Sequence, residues 1–195
     1  MKVTLIAATK FWRNNAVNDI DGQWTPEDEY DQFDDASALV EFSGRQCYES
    51  WSRPNLATAT AEGYIKNIIG QNHFSVLEHG SVSFRVSGVS RSLTHELVRH
   101  RHFSFSQQSQ RYVKVFADEF VVPPLFEGDT HTMAVLKEHW EASVTAYDAM
   151  VARWMPILLQ RGLSPHQARK GAREASRCLL PNMTPTALAI GRAHV

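Results

Sequence analysis

A chain of 195 residues with 43% hydrophobic and 21% charged side chains has the apolar content of a globular core, which excludes a disordered polymer. Its net charge of −1 excludes general polyanion binding as its mode of action, so basic character must be local where it matters. Cys47 and Cys178 lie in no CxxC spacing and are expected as reduced thiols, and no apolar run approaches membrane-spanning length or forms a leader, which predicts a soluble cytoplasmic protein.

Residues 1–9 are β-branched and end at a polar loop, so they read as an opening strand. The acidic stretch from Asn14 to Asp35, broken by Gly22 and Pro26, reads as a long surface loop. Asp34 or Asp35 is placed to cap a helix running to about Tyr48, with Ala38, Leu39, Phe42 and Cys47 as its buried face. A second helix follows Pro54, carries Tyr64, Ile65, Ile68 and Ile69 at helical spacing, and ends at Gly70. From Ser81 to Gly88 the chain alternates, with Val82, Phe84 and Val86 inward, which predicts a half-buried strand.

Ser90 opens a short helix whose apolar side is Leu93, Leu97 and Val98. Glu119 to Val122 reads as another strand, stopped by Pro123 and Pro124. A long helix from Asp129 to about Arg161 keeps Met133, Leu136, Trp140, Val144, Tyr147 and Val151 in register. Ser164-Pro165 opens a last helix that ends near Leu180-Pro181. This order predicts an α+β fold with a mostly antiparallel sheet flanked by helices, in a single domain over residues 1–195.

The chemistry concentrates between Arg99 and Tyr112, where three arginines, two histidines, three serines and three glutamines occur without an acid. Guanidinium forks match phosphate oxygens, while amides and hydroxyls read the edge of a heterocycle, so the segment suits a nucleotide, a flavin or both. His95 and His100 are five apart, which puts them on different faces of a helix and argues against zinc. No base and orienting group accompany Ser104, Ser106 or Ser109, so hydrogen bonding is expected of them rather than nucleophilic attack. Lys170, Arg173 and Arg177 share a helical face, either solvated or serving as a second phosphate clamp.

Arg99-His100-Arg101 followed by seven residues and Ser109 resembles the RHRx7S signature of the flavin-dependent thymidylate synthases. The HFSVLEH loop at 73–79, THELVRHRH, SQQSQRY and AREASRCLLPN are similar to that family as well, so the resemblance covers about Met1 to Asn182. It implies the thymidylate synthase-complementing fold and the reductive methylation of dUMP to dTMP. FAD, NADPH and methylenetetrahydrofolate are the implied cofactors, with no cysteine attack on the uracil. Matching positions imply FAD contacts at Ser75, Arg99, His100, Arg101 and Gln107. They imply dUMP contacts at Glu96, Leu97, Val98, Arg99, Gln107, Gln108, Ser109, Gln110, Arg111 and Arg177. The family's homotetramer shares its active sites, which would explain a basic segment with no acid partner of its own. No metal, nucleic acid or membrane partner is implied.

The resemblance also implies a further segment after Asn182 that supplies an NxR flavin contact, a histidine and an arginine assisting the uracil. Met183 to Val195 reads MTPTALAIGRAHV, and the NxR aligns with Ala193-His194-Val195, so the C-terminal portion is expected to be incomplete from about residue 183. No residue is assigned as catalytic. The alternative function is a homologue that binds flavin or nucleotide without turnover, acting as an assembly partner. A nucleic-acid-binding protein using Arg99 to Arg111 is a third reading, disfavoured by the net charge.

Overall fold

The computed structural model describes residues 1–19, 35–52 and 55–192. Its elements, in chain order, are β1 (Lys2–Ala8), α1 (Arg13–Asp19), α2 (Asp35–Tyr48), α3 (Ala61–Gly70), β2 (Val82–Ser90) and α4 (Arg91–Leu97). They continue with β3 (Phe103–Gln107), α5 (Thr130–Gln160), α6 (Pro165–Ser176) and β4 (Pro185–Arg192), and short 3₁₀ turns lie between several of them. The strands form one sheet in the order β1-β2-β4-β3, and β3 pairs antiparallel with β4. The α+β expectation therefore holds. The chain divides into two compact units, Leu5–Phe84 and Met1–Thr4 with Arg85–Val195.

The Leu5–Phe84 unit is organised by a charged pair. Glu41 and Arg45, one turn apart on α2, are 0% and 1% exposed, and Arg45 Nε donates to Glu41 Oε1 over 2.6 Å. The guanidinium also donates to the carbonyls of Ser50 and Thr58 and lies 4.4 Å from the Tyr64 ring centroid. A planar fork with several fixed acceptors tolerates burial that an isolated charge would not. Gly44, between the two, has Tyr64 so close that an added Cβ would stand 2.7 Å from its ring. This arrangement corrects the expected face of α2: Ala38, Val40, Glu41, Gly44 and Arg45 are buried, Leu39 and Phe42 are half-buried, and Cys47 is exposed. Around it, Val40, Tyr64, Ile68 and Val76 form an apolar cluster with Ile65 and Leu77.

Three further expectations change. Asn14 to Asp19, read as loop, lie in the helix α1: the residues that suggested a break, Gly22 and Pro26, come later in the chain and lie outside the described residues, as do Asp34 and Pro54. The strand β2 continues to Ser90, and Gly88, at φ +67°, shifts the alternation so that Val89 is the buried residue; Val82, at the start of the strand, is exposed. Glu119 to Val122 forms no strand, because a single bond from Val121 N to the Met183 carbonyl is followed by two prolines that cannot donate.

In the other unit, α5 buries Trp140, Val144 and Tyr147, and Trp140 Nε1 donates to the Ala117 carbonyl. Pro156 sits inside α5 without ending it. The helix α6 starts with a capping box on Ser164 and Gln167 and buries Ala168, Ala172 and Ser176, a stripe of small residues where α6 packs on α5. Both cysteines are free thiols.

Replacing Arg45 with alanine leaves Glu41 buried without its partner and is expected to cost about 3–5 kcal/mol, read by urea denaturation. A loss within ~0.5 kcal/mol would show that the pair does not organise this unit.

Candidate functional site

The segment 182–192 holds the other pieces of the site in register. Asn182 and Thr184 accept, through their carbonyls, the backbone N–H groups of Ser92 and Arg91, so the start of α4 hangs from the approach to β4. Farther along, β4 pairs with β3 from Phe103 opposite Arg192 to Gln107 opposite Leu188, and Gln108 N continues the ladder to the Ala187 carbonyl. The run FSFSQ was not recognised as a strand in the sequence, since its alternation is short and its neighbours are all polar.

Thr94 ties α4 to β3. Fully buried, it donates to the Arg91 carbonyl and accepts from Gln107 Nε2 over 2.7 Å. Ser90 caps α4 by accepting from Leu93 N, yet the predicted apolar side of α4 is turned outward: Leu93 and Val98 are exposed and Leu97 is half-buried.

Arg91 is the residue that sequence reasoning missed. Its Nη2 donates to the Gln108 carbonyl over 2.5 Å, while its buried Nε has no hydrogen-bond partner among the described residues. Burial, and then the like charge of Arg177, push its pKa below the ordinary arginine value. Arginine stays protonated at neutral pH all the same, so the strain is one that an anion would relieve. The signal was available: Arg91 is the lone charge between Val86 and Thr94.

Arg91, His95, Gln110, Glu174 and Arg177 line a cavity of about 420 Å³. Arg91, Gln108, Ser109 and Gln110 line another of about 320 Å³, with Thr186 of β4 on its wall. The structure thus brings together Gln110 and Arg177, both expected from the sequence, and adds Arg91, His95 and Glu174. Cys178 also lines the first cavity, beside Arg91 and Arg177. Ser109 Oγ accepts from Arg111 N and shapes the turn between them.

Glu96, Arg99, His100 and Arg101 lie exposed on the end of α4 and the turn before β3, and line neither cavity. Ser75 belongs to the 3₁₀ turn Phe74–His79 of the other unit and is exposed. The basic segment does have acid partners: Glu96 is 3.4 Å from Arg99, and Glu174 is 3.7 Å from Arg111. The second was hidden because α6 delivers it from sixty-three positions away. The first pair is largely and the second partly solvent-accessible, so each is worth about 1 kcal/mol or less and a ligand anion can displace it.

Residues 30–191 match the family described as thymidylate synthase complementing protein. The chain belongs to this family. It is 46% identical over 190 residues to the flavin-dependent thymidylate synthase of Mycolicibacterium gilvum, a match spanning 97% of this chain and 72% of that protein. Identity to the flavin-dependent thymidylate synthase of Mycobacterium tuberculosis is 45% over the same shares. Among solved structures, the UMP/dUMP methylase PolB of Streptomyces cacaoi bound with 5-Br dUMP aligns at a TM-score of 0.60 and 22% identity, over 98% of this chain and 72% of that one. The thymidylate synthase ThyX of Helicobacter pylori with FAD and dUMP aligns at 0.54 and 19%, over 98% and 78%. At those identities the two structures speak for the fold of this family member, and the close sequence relatives speak for the family.

Thr94→Val removes the hydroxyl shared by α4 and β3 while keeping the shape. It is expected to lower stability by about 1–3 kcal/mol in urea titration, since Gln107 Nε2 and the Arg91 carbonyl lose their partner. An unchanged midpoint would mean that β3 and α4 are held by the backbone alone.

Proposed function

We propose that this chain catalyses the reductive methylation of dUMP to dTMP, with bound FAD, NADPH as the reductant and methylenetetrahydrofolate as the one-carbon donor. The observation that carries this reading is the pairing of Arg91 with Arg177 beside Gln110 at one cavity, in a chain close in sequence to flavin-dependent thymidylate synthases. Two guanidiniums against the single carboxylate of Glu174, which is already 3.7 Å from Arg111, favour a dianionic phosphate, and the carboxamide of Gln110 offers both a donor and an acceptor to a pyrimidine edge.

In this reading dUMP is held by Glu96 to Arg99, Gln107 to Arg111 and Arg177, with Arg91 joining Arg177 on the phosphate. Gln107 already gives one amide proton to Thr94, so its carbonyl oxygen is the group turned to a ligand N–H. Ser75, Arg99, His100, Arg101 and Gln107 hold FAD. The donor set fits: Arg101 is exposed and makes no hydrogen bond or ion pair among the described residues, and Arg99 has only its loose contact with Glu96. Two guanidiniums and an imidazole in succession suit a pyrophosphate. Bound FAD supplies the hydride-carrying chemistry, while the chain orients the pyrimidine and balances its charge.

The chain acts as a single domain in a cytoplasmic homotetramer with shared active sites. Leu93, Val98 and Phe103, which are 44%, 42% and 45% exposed, support a face that another copy covers. No helix among the described residues is long and apolar enough to cross a membrane.

Flavin absorbance and a dUMP titration of the same samples test the assignment. Arg91→Ala and Arg177→Ala are expected to raise the dUMP Kd roughly tenfold or more with flavin retained, the cost of a lost charge-assisted bond. Arg99→Ala and Arg101→Ala are expected to release flavin. Unchanged dUMP affinity in Arg177→Ala would contradict the reading.

A further inference from the structure

Beyond the phosphate of one nucleotide, a second and more basic cavity needs an explanation. Arg111, Lys114, Arg169, Lys170 and Arg173 line a space of about 380 Å³ together with Tyr112 and His166. The face predicted on α6 is therefore divided: Lys170 and Arg173 serve this cavity, and Arg177 serves the other.

We propose that this cavity is the docking site for a polyanionic tail of one of the co-reactants. Its cations are held in place around one aromatic residue. Arg173 Nη1 donates to the Tyr112 carbonyl over 2.5 Å, and Lys170 Nζ and Arg111 Cζ lie 5.5 Å and 5.7 Å from the centre of the Tyr112 ring. That ring stacks on His166, with centroids 5.9 Å apart and an interplanar angle of 29°. Among the described residues two carboxylates pair with the five cations: Glu174 is 3.7 Å from Arg111, and Asp148 is 3.3 Å from Lys114. Arg169, Lys170 and Arg173 form no ion pair among the described residues, although Asp148 lines the adjoining groove with Arg169 and Arg173, and the excess of positive charge is more than a single anionic group would balance.

The cavity also continues into a place for an organic body. An adjoining groove of about 310 Å³ shares Lys114, Arg169 and Arg173, and is floored by Val151, Ala152 and Met155. Tyr147 lines it as well, 1% exposed, with a hydroxyl that has no hydrogen-bond partner among the described residues. Buried hydroxyls are nearly always satisfied, so this one is available to a ligand atom that reaches it. Charge at one end, and at the other an apolar floor with Tyr147 and Asp148 in its lining, describe a molecule with clustered anionic groups attached to a less polar body.

Two co-reactants share that chemistry: the phosphates of a phosphorylated dinucleotide, and the carboxylates of a glutamylated one-carbon donor. The choice between them rests on the proposed thymidylate synthesis, whereas the anion site does not.

Titration calorimetry with inorganic tripolyphosphate reads the site without turnover. The variant Arg169→Ser with Lys170→Ser is expected to bind it roughly tenfold more weakly than the natural chain, and the charge-keeping Arg169→Lys with Lys170→Arg to bind it nearly normally. The dUMP affinity of the Ser variant should stay unchanged. Steady-state assays then separate the sources. A KM rise for NADPH but not NADH marks a phosphate tail, and a rise for the polyglutamylated donor but not the monoglutamylated one marks a carboxylate tail. Equal tripolyphosphate binding in all three proteins would overturn the site, and a parallel loss of dUMP affinity would merge it with the substrate cavity. Lost tripolyphosphate binding with no KM change for either co-reactant would overturn the co-reactant assignment. Tripolyphosphate bound, and lost in the Ser variant, by a chain that binds no dUMP would sink the functional reading while leaving the anion site standing.

Discussion

The run from Asn182 through β4 is the constraint on which the site depends. Its carbonyls fix the first turn of α4, and its strand edge fixes β3 and Gln108, so Arg91 and the glutamine cluster are placed by one stretch of backbone. As β4 lies between β2 and β3 in the sheet, both of its edges are occupied. A strand bonded on both sides cannot slip by one residue without turning every side chain to the other face. The geometry of the basic cluster is thus a property of the sheet, and Thr94 adds a side-chain lock where α4 and β3 meet.

Charge is then distributed in two patterns. In the Leu5–Phe84 unit the Glu41–Arg45 pair is buried, matched and saturated with acceptors, which makes it structural. Around Arg91, Arg177 and α6, cations outnumber the acids within reach, and the acids that are present hold them loosely at the surface. An excess of one sign in a concave place is stabilised by a ligand of the other sign. The same residue type is therefore saturated with acceptors in one unit and left in excess over its acids in the other, and the difference lies in whether the protein supplies the anion.

Much of this was legible in the sequence, for reasons that differ by element. The helix α5 carries clean periodicity and a side-chain cap at Asp129, so both its limits could be read, whereas only the end of α3 at Gly70 and the start of α6 at Ser164 were legible: α3 begins at Ala61, after the Thr60 cap, and α6 ends at Ser176. The face of α2 could not, because its buried stripe contains a glutamate and an arginine that only a folded partner set makes tolerable. Gly88 displaced the alternation of β2 through a backbone torsion, and FSFSQ is too short to declare itself a strand without β4 beside it. In the site, the motif from Arg99 to Arg111 stood out by composition, and Arg177 by its place on α6. Arg91 and Glu174 did not, since their roles come from contacts across seventeen and sixty-three positions.

The most direct test of the account is chromatographic detection of dTMP made by the FAD-supplemented chain from dUMP, NADPH and methylenetetrahydrofolate, with each component omitted in turn. The account predicts dTMP only when all are present, with NADPH consumed as it forms. Flavin and dUMP both bound, with no dTMP formed from the complete mixture, would contradict it.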